Sequence, residues 1–371
     1  MKVFLSNTLP EAQDWLIPSC MRSTSRNFRV FACAALSCWT VSAFAATEAT
    51  TDPVGFITLA ASGGTLTTPK LSLISPTLTQ PVLWQGTITV ISSNTSGPTT
   101  ITVSGTPWTA DQFNGANGSH YVEIVSTTTP ANSGTLSDVT ATTTSTITSF
   151  DNLSTHAAVG DTIKIRKDVT ISDLFGATNS AGLLASVDGS TADEVLIYNG
   201  ATFTSYFYYN GSPAGWRKTS DLTNANTVTI APNEAVVIKR KTSGNLTFTF
   251  AGAVKTGNTL FPILSGFNVL GTTSAKGLTL ATSGLYTGNS STGVLASVDG
   301  ASADEVLLYG ASGSPTSYFY YTGSPGYPAG WYKSDDFTDA NNVAIAPGTA
   351  FVVKRKNGIA FNWAVPAPSS F

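Results

Sequence analysis

LASVDGSTADEVLIY at 184–198 returns as LASVDGASADEVLLY at 295–309, identical at 12 of 15 positions. Two more blocks recur in the same order. TSYFYYNGSPAGW (204–216) comes back as TSYFYYTGSPGYPAGW (316–331), and IAPNEAVVIKRK (230–241) as IAPGTAFVVKRK (345–356). The offset grows from 111 at Asp188/Asp299 to 112 at Tyr206/Tyr318 and 115 at Trp216/Trp331. Surface connections absorb small insertions of this kind. A period of about 110 residues is far longer than a solenoid or propeller repeat, so each copy is expected to be domain-sized.

Within a copy, short apolar runs alternate with turn residues. Glu194-Val-Leu-Ile-Tyr198 is apolar at both parities after its first residue, the pattern of a strand covered on both faces. Tyr206 and Tyr208 point one way from their strand and Phe207 and Tyr209 the other. NGSPAGW reads as a hairpin connection. No stretch after residue 50 carries an amphipathic helix of three turns. Only 11% of residues are charged, and Thr, Ser and Gly abound. The expectation is an all-β, multidomain chain of short-stranded sandwich or barrel-like domains with an internal duplication. The expected divisions are a leader over 1–45, an N-terminal strand segment over 46–83 and a small β domain over 84–168. One β repeat then covers 169–252, and a linker strand region with the second repeat covers 253–371.

The leader has the form of a secretory signal peptide over 21–45. Basic residues from Arg22 to Arg29 precede the apolar run VFACAALSCWTVSAF, and Ala43-Phe44-Ala45 offers a small-residue cleavage site. Met21 is the expected start, since residues 1–20 fit no part of a signal. Cleavage after Ala45 removes Cys20, Cys33 and Cys38, leaving a cysteine-free mature chain without disulfides or thiol chemistry. Fifteen basic and twenty acidic residues then remain, a net charge of −5 that argues against a nucleic-acid partner. No transmembrane segment is expected in the mature chain. The expected destination is extracellular, cell-surface or periplasmic.

Between 84 and 167, GTITV, TITVSGTPWTADQF, YVEIVS, STITSF and VGDTIKIRK follow one another as evenly spaced strands. They resemble a small β unit of secreted and fibre-like proteins, in which a tryptophan corner and a GDT-containing strand close a compact sheet. Thr51-Asp-Pro-Val-Gly-Phe56, the WTADQF…GDTIKIRK unit and the repeated YFYY…GW and IAPxxA elements together resemble an uncharacterised family of exported β-rich proteins of verrucomicrobial type. The resemblance implies export and architecture and no substrate.

Chemistry-bearing patterns are few. His120 and His156 stand alone in polar surroundings and read as solvated loop residues, with no G-x-S-x-G elbow to suggest a triad. Asp188, Asp193 and Glu194, repeated at Asp299, Asp304 and Glu305, are the best acidic constellation, and hard oxygen ligands in a Gly-containing loop suit calcium. Their spacing matches no EF-hand, so a polar loop leading into a strand is the preferred reading, and no metal or cofactor is expected. A glycosidase reading needs two carboxylates facing across a cleft, which spacing cannot establish. Lys239-Arg-Lys241 and Lys354-Arg-Lys356 read as solvated strand ends that protect an edge.

The aromatic strands are the sharpest binding candidates: Tyr206, Tyr208 and Trp216, with Tyr318, Tyr320 and Trp331. Tyr and Trp on a sheet can stack on sugar rings, and they also pack cores. The expected function is a secreted or cell-surface structural or interaction role without catalysis. A carbohydrate-binding protein is the alternative and a polysaccharide-active enzyme the third reading. The partner in either binding case is a polysaccharide or cell-envelope component.

Overall fold

The computed structural model describes residues 52–92, 96–115, 118–200, 202–310 and 314–368. The expected signal peptide and its cleavage site lie outside the described residues. The protein is all-β. Its single α-helix among those residues is the five-residue Ile171–Phe175, and no helix there is long and apolar enough to cross a membrane.

Residues 82–167 close a six-stranded barrel. Around it run Val82–Ile91, Thr100–Val103, Thr146–Ser149, Leu136–Thr142, His120–Val125 and Thr162–Lys167. Alternation fills it: Ile101, Val103, Val122, Ile124, Ile147, Ile163 and Ile165 point in, while Thr87, Thr89 and Thr140 point out. The WTADQF corner plugs the barrel, with Trp108 edge-on to Trp84 at 4.7 Å and to Phe113 at 5.5 Å. The GDT motif ties its loops. Asp161 accepts hydrogen bonds from the backbone of Thr127, Thr128 and Ala158 and from the Ser126 hydroxyl. Burial alone would raise its pKa, but these donors together hold the carboxyl below its ordinary value.

Two five-stranded antiparallel sheets are built from strands outside the barrel. The first runs Gly215–Lys218, Phe203–Tyr209, Glu194–Tyr198, Val236–Arg240, Lys70–Ile74. The second runs Gly330–Lys333, Pro315–Tyr321, Glu305–Tyr309, Phe351–Arg355, Gly266–Leu270. Each has a two-stranded ribbon packed on its inner face, Val54–Ala61 with Leu246–Ala253 and Thr259–Ile263 with Phe361–Val365. Separate cores fill the two sandwiches, one around Phe175, Trp216 and Phe250, the other around Trp331, Phe351 and Trp363.

The first sandwich is therefore discontinuous. Val54–Ala61 and Lys70–Ile74, the expected N-terminal strand segment, pair with strands near residue 240, and the barrel lies in the connection between them and the rest. In the second sandwich the corresponding connection, 271–277, is seven residues long.

The two sandwiches meet through reciprocal contacts. Ser75 donates its N–H to Gly348 O at 3.0 Å beside the bridge Ile74–Thr349. Gly271 donates to Asn233 O at 2.9 Å beside the bridge Leu270–Glu234. By the strand register Ile74 occupies the place of Leu270, and Glu234 that of Thr349. The contact is thus self-complementary, in the manner of a two-fold interface between like subunits.

Candidate functional site

The aromatic strands lie largely inside the sandwiches. Trp216 is fully buried at 5.5 Å from Phe175, and its indole N–H donates to Gly176 O at 2.9 Å. Tyr206 is buried, and Tyr208 is half-buried and edge-on to Trp216. In the second sheet Trp331 is fully buried, with Tyr320 edge-on to it at 5.6 Å. Tyr318 and Tyr320 are half-buried, and the Tyr320 ring is stacked on Tyr286 at 3.4 Å. The Gly-Trp corner is held by an asparagine: Asn226 Oδ1 accepts from Trp216 N and Asn341 Oδ1 from Trp331 N. A Cβ on Gly330 would lie 2.8 Å from Asn341 Nδ2, so a larger residue there would push on the asparagine that holds the corner.

The acidic triplets and the Lys-Arg-Lys clusters are one another's partners. Glu194 lies opposite Lys239 on the adjacent strand, and Glu305 opposite Lys354. Asp193 accepts from Arg240 at 2.5 Å, from Lys241 N and from Leu184 N. Asp304 accepts from Arg355 at 2.5 Å, from Lys356 N and from Leu295 N. On the other face Glu194 binds Lys239 and Lys241, and Glu305 binds Lys354 and Lys356. Burial would raise both glutamates, but their lysines outweigh it and hold both carboxyls low. The reading of solvated strand ends is corrected here. Arg240, Lys241 and Arg355 are buried, because each strand end runs beneath the Asp-Glu loop rather than into solvent. Asp188 and Asp299 stay exposed and fold their own loops, accepting from Ser190 N and Ser302 N, contacts that lower their pKa. Among the described residues no group of three or more His, Cys, Asp or Glu is arranged to hold a metal ion.

His120 is a second correction. It begins a barrel strand, is buried beside Phe113 with Nδ1 unpartnered, and burial lowers its pKa. His156 is half-buried in a loop, its Nδ1 at 3.2 Å from Thr155 Oγ1. A buried ionic knot that spacing alone did not reveal joins segments far apart in the sequence. Arg166 binds Asp52 and Glu123 and donates to Gln80 O at 2.9 Å; Lys255 also binds Glu123 and donates to Asn258 O at 2.6 Å. Two further acids sit where the barrel meets the first sandwich. Burial, helped by Asp138, raises Asp168 to about 6, and burial with the charge of Asp168 raises Glu234 to about 7.

Between the two five-stranded sheets opens an apolar cleft of about 380 Å³. Val237 and Val352, both buried, form part of its wall with Leu73 and Val269, and Leu71 and Phe267 stand exposed at its rim. The register makes Leu71 the counterpart of Phe267, Leu73 of Val269 and Val237 of Val352. Both sheets thus turn the same face to the cleft. A smaller cleft of about 200 Å³ lies between the barrel and the second sandwich, with Asp151, Asn152, His156 and Asn362 among its walls.

No protein-family model, curated protein or solved structure matches this chain.

Chemically, the arrangement is one of satisfied pairs. The strongest acids and bases neutralise each other inside the sheets, and the largest rings fill cores. Toward the cleft each sheet turns an apolar stretch bordered by the Glu-Lys pairs of the same face. The sequence carried one sign of this: the both-parity apolar run at 194–198, whose Leu196 and Tyr198 line the cleft.

Proposed function

We propose that this chain is an exported β-rich protein that works through its surface, in a structural or interaction role, and carries out no reaction of its own. One observation carries the reading. The residues best suited to chemistry are consumed as supports: Asp193 and Asp304 by buried arginines and backbone N–H groups, and Glu194 and Glu305 by flanking lysines. A carboxylate so engaged cannot also serve as a general acid or a nucleophile without leaving a buried cation unpaired. The carbohydrate-binding alternative finds less support, since both tryptophans are core residues and Tyr286 already occupies a face of Tyr320.

Export and membership of the verrucomicrobial-type family belong to the same proposal. In their favour, motifs that carry the resemblance bind each other: Asp52 of TDPVGF is held by Arg166 of GDTIKIRK. The two sandwiches are read as copies of one unit, the first interrupted by the barrel.

The test is to express the full chain in a Gram-negative host, fractionate it, and assay the exported protein against glycan, ester and peptide substrates. Mature protein outside the cytoplasm, beginning at Ala46 and turning over nothing, is expected. Retention in the cytoplasm with residues 1–45 intact would overturn the export reading. Turnover of any substrate, abolished by Glu194→Gln or Glu305→Gln, would overturn the non-catalytic one.

A further inference from the structure

We propose that the cleft between the two five-stranded sheets is a binding site for one neutral, elongated apolar molecule, an uncharged alkyl chain free in solution. This goes beyond the surface role proposed above and does not depend on it.

The chemistry of the walls excludes the other ligand classes. All ten lining residues are Leu, Val, Phe or Tyr. The nearest charges on the same sheet faces are already paired, Glu194 with Lys239 and Lys241, and Glu305 with Lys354 and Lys356. Lys354, beside the rim, lies 5.8 Å from the centre of the Phe267 ring while it binds Glu305. The hydroxyl of Tyr198 is spent on Gly200 O at 2.8 Å. A charged head group would therefore lose its hydration and gain no counter-charge. A sugar would find too few free donors and acceptors for its hydroxyls.

Size and position point the same way. At about 380 Å³ the cleft falls within the range of small-molecule sites. Allowing roughly 30 Å³ per heavy atom, the share of one water in the liquid, it holds about a dozen. The cleft is the open continuation of the reciprocal contact between the sandwiches, made by Ser75 with Gly348 and by Gly271 with Asn233. The first sheet supplies six of the ten residues and the second four, Leu196 and Phe203 having no counterpart in the lining, and the walls stay apolar from end to end. An unbranched chain with the same apolar surface along its length matches such walls. Three of its lining residues are open to solvent, Leu71 48%, Phe203 46% and Phe267 60% accessible.

The experiment titrates the full chain with N-phenyl-1-naphthylamine, a neutral fluorescent apolar probe, and then displaces it with 1-dodecanol and, separately, with dodecanoate at pH 8. Sedimentation equilibrium of the same samples runs in parallel. Expected are one probe per chain, displacement by the alcohol and at least tenfold weaker competition by the carboxylate. Leu71→Asp and Phe267→Asp should each weaken the probe at least tenfold, to a similar degree, since they are counterparts. Phe56→Asp, 74% exposed on the first ribbon, should leave it unchanged. Should either aspartate variant melt early, Val269→Trp fills the cleft without introducing charge and should abolish binding. Non-saturable binding, binding indifferent to all three cleft variants, or equal competition by dodecanoate overturns the proposal. So does a dimer that Phe267→Asp dissociates, since a second copy would then cover the cleft.

Discussion

Asp193→Ala and Asp304→Ala remove counterparts in the two sheets, yet the structure assigns them different consequences. Each leaves an arginine buried without its carboxylate, a change that costs about 3–5 kcal/mol in comparable sites. The arginines differ in what remains to them. Arg355 keeps Gly293 O at 3.0 Å and Ile359 O at 2.8 and 3.0 Å, besides Ser290 O. Among the described residues Arg240 keeps only the long contact to Gly244 O at 3.4 Å, and its Nε is already buried without a partner there. A hydrogen bond to a charged group contributes about 1.5–3 kcal/mol. Asp304→Ala should therefore destabilise its sheet by about 3 kcal/mol and Asp193→Ala by about 5. A chain with several cores need not unfold in one step, so a single denaturation midpoint would blur the difference. Native-state amide exchange followed in peptides covering 194–198 and 236–240, against 305–309 and 351–355, reads each sheet separately. Equal losses, or a larger loss for Asp304→Ala, would refute the argument that residual carbonyl acceptors set the penalty. A paired change to apolar residues, Asp193→Leu with Arg240→Met, should recover most of the loss, because no buried charge then remains.

Two further outcomes follow from the junction and the core. Asp168 and Glu234 have carboxyls raised from 3.8 to about 6 and from 4.5 to about 7, so the folded chain holds protons that the unfolded chain releases. Their contribution is complete below about pH 4 and lost as pH rises to about 7, and urea midpoints should fall over that window, with Glu234→Gln flattening the decline. Trp216→Phe keeps most of the packing but leaves the carbonyl of Gly176 without its indole donor, and should lower stability by about 2 kcal/mol in a thermal melt followed by calorimetry.

The fold class was legible because alternation is local. TITV, YVEIV and TIKI each declare a strand by alternation, and the structure makes strands of them all, burying both faces of YVEIV. Which strands become neighbours is not local. Strand alternation puts Arg240 on the face opposite Lys239 and Lys241, where it meets Asp193. What parity could not show is that Asp193 and Glu194 cross the same two faces on the adjacent strand. Without that neighbour the cluster looked like a solvated end. His120 misled for a similar reason: its polar flank, Gly118-Ser119, is loop, while the ring itself enters the barrel wall. The cleft was hidden more deeply, since Leu71 and Phe267 come together only when two sheets built from distant segments pack on each other. The barrel also lies in sequence between Lys70–Ile74 and the rest of the sheet that strand completes, so its place in the first sandwich was not legible.

That insertion sets an order of events during synthesis. Val54–Ala61 emerges from the ribosome early, but its partner, Leu246–Ala253, lies some 190 residues downstream. The barrel, whose six strands are all in place by Lys167, can close long before then. Until the partner arrives, the apolar edge of Leu59 and Ala61 has nothing native to pair with, and long loop closures of this kind are slow. The second sandwich, contiguous from Thr259 to Val365, faces no such wait. A nascent chain halted between residues 170 and 245 should therefore present a finished barrel tethered to an unsatisfied strand, the state most exposed to mispairing and the natural client for a holding chaperone.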